Sequence, residues 1–136
     1  MPRKVAFDIP RFFQALGDPT RLRLLNLMAG QEVCVCYLVE ILGSPQSKVS
    51  RHLAYLRDAG IVSARRDGKW MHYRVATPPH AGAAQTLRQT LDWLREDKTM
   101  QTDRARLDRA GCRPERLALK GIPAPSPVVP ACCEGC

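Results

Sequence analysis

The sequence has no apolar run close to the ~20 consecutive residues that a membrane-spanning helix needs. No secretory leader opens it, because Asp8 ends the first apolar stretch, residues 5–7. These absences argue against an integral membrane protein and against an exported one. We therefore expect a soluble, cytoplasmic protein with no membrane partner.

Signatures of catalysis are also missing. The chain contains no glycine-rich phosphate loop, no His-Glu metalloprotease motif and no plausible hydrolytic triad. Its three histidines, His52, His72 and His80, are not spaced as ligands of one metal ion. At 136 residues the chain is too short for a barrel enzyme or a complete dinucleotide-binding oxidoreductase. We predict that the protein is not an enzyme.

Positive charge, in contrast, is plentiful and concentrated in one segment. The chain has 21 Lys and Arg against 13 Asp and Glu, which gives a net charge of +8. Residues 44–75 hold seven basic and two acidic side chains, so this segment alone supplies +5. A basic patch of this kind favours a polyanionic partner such as nucleic acid.

Apolar residues at helical spacing predict four helices in the first half of the chain. The first covers residues 8–16, and the second begins at Thr20, a good N-cap, and closes at Gly30. A short third helix ends at Leu42, and a fourth runs over residues 44–58. The close succession of the last two is typical of a helix-turn-helix.

The pattern then changes to that of strands. Apolar and polar residues alternate over residues 70–75, and Asp67-Gly68 is a strong signal for a two-residue hairpin turn. A last apolar stripe marks a helix over residues 82–97. The order of elements predicts a mainly α fold with a small β-hairpin (α+β), a winged helix-turn-helix.

In such a fold the fourth helix enters the major groove of double-stranded operator DNA and the hairpin follows the backbone or minor groove. The exposed face of that helix could also be an ordinary solvated surface. On the first interpretation, the side chains predicted to contact the groove are Gln46, Ser47, Lys48, Ser50 and Arg51. Those predicted to contact the backbone from the hairpin are Arg65, Arg66 and Lys69.

The terminal helices of the core are predicted to form a homodimer. Residues 8–16 and 82–97 each carry an apolar stripe, and one small core cannot cover both. Burial against a twofold-related copy is the simplest solution. Residues 1–98 are therefore predicted to form a DNA-binding and dimerisation domain. Residues 99–136 are predicted to form a flexible tail rich in Pro and Cys, because four prolines occupy residues 121–130, although residues 99–120, which are mostly polar and charged, could be weakly helical.

The chain has six cysteines, and two of them form a Cys-x-Cys motif, Cys34 and Cys36. Thiolates are soft ligands that suit a thiophilic ion. On a regular helix two side chains at i and i+2 point about 200° apart, whereas in extended chain they point the same way. The two sulfurs can therefore hold one ion only where the helix has unwound or has not yet begun. Two buried structural cysteines are the alternative.

Four segments in order resemble the ArsR/SmtB family of bacterial repressors. They are residues 15–22 (ALGDPTRL), 33–36 (VCVC), 47–53 (SKVSRHL) and 56–62 (LRDAGIV). The resemblance covers about residues 7–97, and it implies a dimeric repressor that leaves its operator when a metal or metalloid binds. Members of the arsenic type carry Cys-Val-Cys at the start of the third helix, which implies As(III) or Sb(III) as the inducer of this chain.

The same resemblance argues against the other metal sites of the family. The zinc and nickel type places Asp and His ligands on the last helix, where this chain has Asp92, Glu96 and Asp97 but a single histidine, His80, at the very start. The cadmium and lead type adds N-terminal cysteines, and residues 1–33 contain none. Some arsenic-type members have a third cysteine at the position of Val39.

The tail offers a source for the missing third thiolate. Cys132, Cys133 and Cys136 are predicted to complete the site of Cys34 and Cys36 or to form a separate one, unless they are an incidental cysteine-rich end. Cys112 stands alone and is assigned no role. Three alternatives remain open: a thiol-based redox sensor, a soft-metal (Cd, Pb or Zn) sensor, and a thiol-rich metal-carrier protein.

Overall fold

The structure is a computed structural model that describes residues 7–111 of the chain. Within these residues short strands interrupt a mainly helical chain. The elements in order are α1 (Ile9–Leu16), α2 (Pro19–Met28), β1 (Val33–Cys34), α3 (Val35–Leu42), α4 (Gln46–Asp58), β2 (Val62–Asp67), β3 (Trp70–Val75), α5 (Ala81–Leu94) and α6 (Lys98–Gly111).

Aspartate side chains begin the first two helices. Asp8 accepts a hydrogen bond from the backbone N–H of Arg11 at 3.1 Å, and Asp18 accepts one from that of Arg21 at 3.0 Å. A proline lies in the first turn of each helix, where its missing N–H leaves no bond unmade. The prediction that Thr20 caps α2 is therefore wrong, because Asp18 takes that place and Thr20 lies inside the helix.

Helices α3 and α4 form the predicted helix-turn-helix. Helix α3 ends at Leu42 and is capped by Gly43, whose φ of +64° lies in the left-handed region that glycine adopts at helix ends. Helix α4 turns Val49, Leu53 and Leu56 into the core, and none of them has any exposed surface. The polar face of α4 points to solvent.

The three strands form an antiparallel sheet in the order β1-β3-β2. Strands β2 and β3 make the predicted hairpin, called the wing below (residues 62–75). Its turn lies one residue later than predicted, because Asp67 pairs with Trp70 and leaves Gly68 and Lys69 as the loop. Gly68 has a φ of +59°, as the first loop position of a type II′ turn requires. Strand β1, which the sequence pattern did not predict, pairs with β3.

Helix α6 changes the predicted domain boundary. The flexible tail was predicted to begin at residue 99, whereas residues 98–111 form a helix that packs on α2 and α3. Leu107 is fully buried, and Asp103 accepts two hydrogen bonds from Arg23 of α2, at 2.7 and 3.0 Å. Asn26 Nδ2 donates to the backbone oxygen of Met100 at 2.9 Å. The rest of the tail, including Cys112 and the three terminal cysteines, lies outside the described residues.

One hydrophobic core joins these elements. Phe12 of α1, Leu24 of α2, Leu38 of α3 and Leu87 of α5 all belong to it. The mainly helical architecture with a small antiparallel sheet confirms the predicted fold class. No helix within residues 7–111 is both long enough and apolar enough to cross a membrane.

Candidate nucleic-acid interface and thiol site

Helix α4 presents a polar face to solvent, and the major groove of DNA is wide enough to admit an α-helix. Four of the five side chains predicted to contact the groove are exposed, and Ser50 is partly buried. The four exposed ones are Gln46, Ser47, Lys48 and Arg51. Because the opposite side of α4 is locked in the core, the helix offers these groups from a fixed position.

A cluster around Arg21 holds α4 against α2. The Arg21 guanidinium lies 4.3 Å from the centre of the Tyr55 ring, a distance typical of a cation–π contact. It also donates hydrogen bonds to the backbone oxygens of Ala15 and Gln14, at 2.9 and 2.8 Å. Sequence reasoning gave Arg21 no role, although the residue falls inside one of the family motifs. Its contacts are to backbone oxygens of the preceding helix and to Tyr55 of α4, so periodicity could not reveal them.

His52 of α4 belongs to the same cluster. Burial lowers the pKa of His52 below its ordinary value, and the nearby cations, Arg21 among them, lower it further, although the carboxylate of Asp18 opposes this. A neutral ring leaves Nδ1 free to accept a hydrogen bond, and that nitrogen lies 3.4 Å from the Arg21 guanidinium. His52 therefore serves the packing of α4 against α2.

The wing carries the second group of predicted DNA contacts, Arg65, Arg66 and Lys69. All three side chains are exposed around the tip of the hairpin. Arg65 differs from the other two because it is already paired. Its Nη2 lies 2.6 Å from Glu32 Oε1, and its Nε lies 3.1 Å from each carboxylate oxygen. Glu32 was not singled out from the sequence.

The Cys-x-Cys motif lies where β1 ends and α3 begins. Cys34 is the N-cap of α3, with an extended ψ of 143°, and Cys36 lies in the first helical turn. The two sulfurs are 2.9 Å apart, and the Cys36 thiol donates a hydrogen bond to the Cys34 sulfur. The i, i+2 pair therefore converges because the helix has not yet begun at Cys34. Cys34 is buried and Cys36 is partly exposed, so a small ion would approach from the Cys36 side.

Because the two sulfurs are in contact, the pKa values of the two thiols shift in opposite directions. The hydrogen bond from the Cys36 thiol lowers the pKa of Cys34; burial opposes this, and the backbone N–H groups of Cys36 and Val35 reinforce it. The pKa of Cys36 is raised, mainly by that same bond and also by burial and the charge of Cys34. Cys34 is thus the thiol that ionises more readily, and an ion held by both sulfurs would have to displace the proton of Cys36.

The described residues contain no group of three His, Cys, Asp or Glu side chains that could hold a metal ion. The two sulfurs therefore lack a third ligand within residues 7–111. Cys132, Cys133 and Cys136, the predicted sources of one, fall outside that range. His80, the one histidine of the last predicted helix, acts as the N-cap of α5, with Nδ1 accepting from the N–H of Gly82 at 3.1 Å.

A helix-turn-helix followed by a basic β-hairpin defines a winged helix-turn-helix DNA-binding protein. Residues 18–64, from the N-cap of α2 into β2, match the family described as bacterial regulatory protein, arsR family. Over 110 residues the chain is 37% identical to the arsenical resistance operon repressor of Escherichia coli K12, covering 79% of this chain and 92% of that repressor. The chain therefore belongs to the arsR family and is a DNA-binding transcriptional regulator.

Two further comparisons extend this likeness. The arsenic resistance transcriptional regulator ArsR1 of Pseudomonas putida KT2440 is 39% identical over 107 residues, which cover 78% of this chain and 82% of that protein. Among solved structures, the AntR antimony-specific transcriptional repressor superposes with a TM-score of 0.50 at 26% identity. That superposition covers 71% of this chain and 90% of the repressor. The family and the fold predicted from the sequence are both confirmed.

Proposed function

We propose that this protein is a metalloid-responsive repressor. It binds operator DNA in its metal-free state and leaves the DNA when Cys34 and Cys36 capture trivalent arsenic or antimony. The observation that carries this proposal is the 2.9 Å contact between the two sulfurs at the N-terminus of α3. Thiolates suit such thiophilic ions. The names of an arsenical repressor and an antimony-specific repressor among its relatives support this choice of inducer.

The DNA contacts in this proposal come from two surfaces. Helix α4 reads base edges with Gln46, Ser47, Lys48, Ser50 and Arg51. The wing contacts phosphates with Arg66 and Lys69, together with Arg65 when the DNA displaces Glu32. Support comes from the exposure of these groups, Ser50 excepted, on elements that are themselves anchored in the core.

Homodimerisation through α1 and α5 is the second part of the proposal. Three large apolar side chains on these helices remain exposed: Ile9 at 57%, Phe13 at 53% and Trp93 at 74%. Leu94 belongs to the apolar stripe of residues 82–97, but it is 9% exposed and already packed inside the single chain. Trp93 is therefore the sharper choice for a test. We expect Trp93→Glu to yield a monomer by sedimentation equilibrium, and Gln101→Glu, a neutral-to-acidic change at an exposed position of α6, to stay dimeric.

The third thiolate is proposed to come from Cys132, Cys133 or Cys136. Replacing all three by Ser should raise the arsenite concentration needed for DNA release, and Cys112→Ser serves as the control. Adding Val39→Cys to the triple variant supplies a thiol one turn after Cys36 on the same side of α3. That addition should restore sensitivity. An unchanged response in the triple variant would exclude the tail as a ligand.

A redox sensor is the second candidate, since two sulfurs in contact are also placed for oxidation to a disulfide. Fluorescence anisotropy of an operator duplex, selected from a random-sequence pool, separates the candidates. We expect release by arsenite in the presence of reductant and no release by zinc. Release by peroxide that reductant reverses, with no response to arsenite, would replace the proposal by the redox function. Release by zinc or cadmium alone would replace it by a soft-metal sensor.

A further inference from the structure

Glu32 and Arg65 form an ion pair between two parts of the molecule that have different roles. Glu32 directly precedes β1, two residues before Cys34, whereas Arg65 lies in strand β2 of the wing. The two strands do not pair with each other, because β3 lies between them. Cys34 and Arg65 both pair with His72 of β3, so the ion pair spans the middle strand of the sheet.

The Glu32 carboxylate occupies one edge of the Arg65 guanidinium. Nε and Nη2 of Arg65 both donate to the carboxylate, with distances from 2.6 to 3.1 Å. This is the two-pronged arrangement with which an arginine also binds a phosphate. Hydrogen bonds from Arg65 lower the pKa of Glu32, as do the charges of Arg65, His72 and Arg74, so the carboxylate is ionised at neutral pH. A phosphate and Glu32 therefore compete for the same donors.

Solvent can reach the pair. The Arg65 side chain is 54% exposed and that of Glu32 is 33% exposed. Exposed ion pairs of this kind are weak, and a partner of higher charge can displace one of their members. DNA carries a negative charge every ~1.7 Å along its axis, so it is such a competitor.

We propose that Glu32 sets the DNA affinity of the wing by competing with phosphate for Arg65. In the free protein the carboxylate neutralises one wing cation, and DNA binding has to break that pair. Glu32 is thus a positioning residue for the DNA contact, which no family motif in the sequence had singled out. This inference rests on the proposed DNA contacts of the wing and is independent of the metalloid response.

The test measures binding to a random-sequence duplex by anisotropy over a series of salt concentrations, without arsenite. Random-sequence DNA suffices because competition for phosphate requires no particular bases. We expect Glu32→Gln to bind about two- to fivefold more tightly, the range set by an exposed ion pair. The plot of log affinity against log salt should steepen, by at most about 0.9, the value for one complete added phosphate contact.

Two controls separate competition for Arg65 from a general loss of negative charge. Glu40→Gln makes the same change at an exposed position of α3 and should leave the salt slope unchanged. In an Arg65→Ala background, Glu32→Gln should have no effect, since nothing remains to compete for. An equal gain in that background would overturn the proposal, as would weaker DNA binding by Glu32→Gln alone. Failure of arsenite to release DNA from the wild type would overturn the proposed inducer and leave this result standing.

Discussion

Helix α4 and the wing both present cations to solvent, but different forces hold them in place. Three fully buried side chains fix α4, and the Arg21 cluster binds its other flank to α2. In β2 only Val62 is buried, and residues 65–67 are exposed. Strand pairing and the Glu32 ion pair therefore determine where the wing cations lie. Helix α4, the element proposed to read bases, is thus more deeply anchored in the core than β2 of the wing, which is proposed to contact phosphates.

The thiol site is joined to both regions. Cys34 is the last residue of β1, which pairs with β3 of the wing, and it is also the N-cap of α3, which leads to α4 through Gly43. A displacement at Cys34 can thus reach α4 through a helix and the wing through a strand. The second route is visible only in the structure, because a two-residue strand such as β1 has too few residues to show a pattern in the sequence.

The largest expected effect is the loss of the inducer response when either thiol is removed. Cys34→Ser or Cys36→Ser leaves one sulfur, which cannot close on the ion, while the similar size of Ser preserves the fold. We expect operator binding close to that of the wild type and no release by arsenite. Anisotropy titrations with Cys112→Ser as the control test this expectation. Normal release by both variants, together with loss of release in the Cys132, Cys133 and Cys136 triple variant, would move the sensor to the tail.

The second largest expected effect is the loss of stability when a buried side chain of α4 is shortened. Leu53→Ala creates a cavity under the helix and should lower the free energy of unfolding by about 2–5 kcal/mol. Arg66→Ala, on the exposed wing, should change it by less than about 0.5 kcal/mol. Urea unfolding followed by circular dichroism measures both. A comparable loss in the two variants would show that the wing is as deeply anchored as α4.

Helices whose buried residues repeat at regular spacing could be predicted from the sequence, and helices held by scattered contacts could not. Helix α4 was predictable because Val49, Leu53 and Leu56 repeat at helical spacing. Helix α6 was assigned to the tail because its exposed positions are polar, and its anchors are the well-separated Met100 and Leu107 and the ion pair of Asp103 with Arg23. Such contacts connect residues far apart in the sequence. They become visible only in three dimensions.

The candidate site was predictable to a similar degree. Cys34 and Cys36 could be found from their spacing and from the family motif. The spacing also predicted that their sulfurs can meet only where the helix has unwound or has not yet begun. The structure meets that condition at the boundary between β1 and α3. Glu32 could not be found, because 33 residues separate it from Arg65 and no local pattern relates the two.

Base reading by α4 should appear as a loss of specificity. We expect Arg51→Ala to weaken operator binding by about 1–3 kcal/mol more than random-DNA binding, if its side chain contacts a base. Arg57→Ala removes the same charge near the C-terminal end of α4 and serves as the control. The measurement is a pair of Kd values, for the operator and for a random duplex at one salt concentration. Equal losses for both duplexes would mean that Arg51 contacts phosphate only.

The smallest expected effect distinguishes two adjacent cations of the wing. Arg66→Ala should reduce the salt slope of random-DNA binding by about 0.9, because one full phosphate contact is lost. Arg65→Ala should reduce it by less, since DNA must first displace Glu32 and the contact forms only part of the time. Arg106→Ala on α6 controls for the change in net charge. Equal reductions for Arg65 and Arg66 would show that the carboxylate does not hold Arg65 back. If the difference in salt slope between Arg65→Ala and Arg66→Ala disappears in the Glu32→Gln background, its cause is the Glu32 carboxylate. The positions of the two arginines on the hairpin are then not the cause.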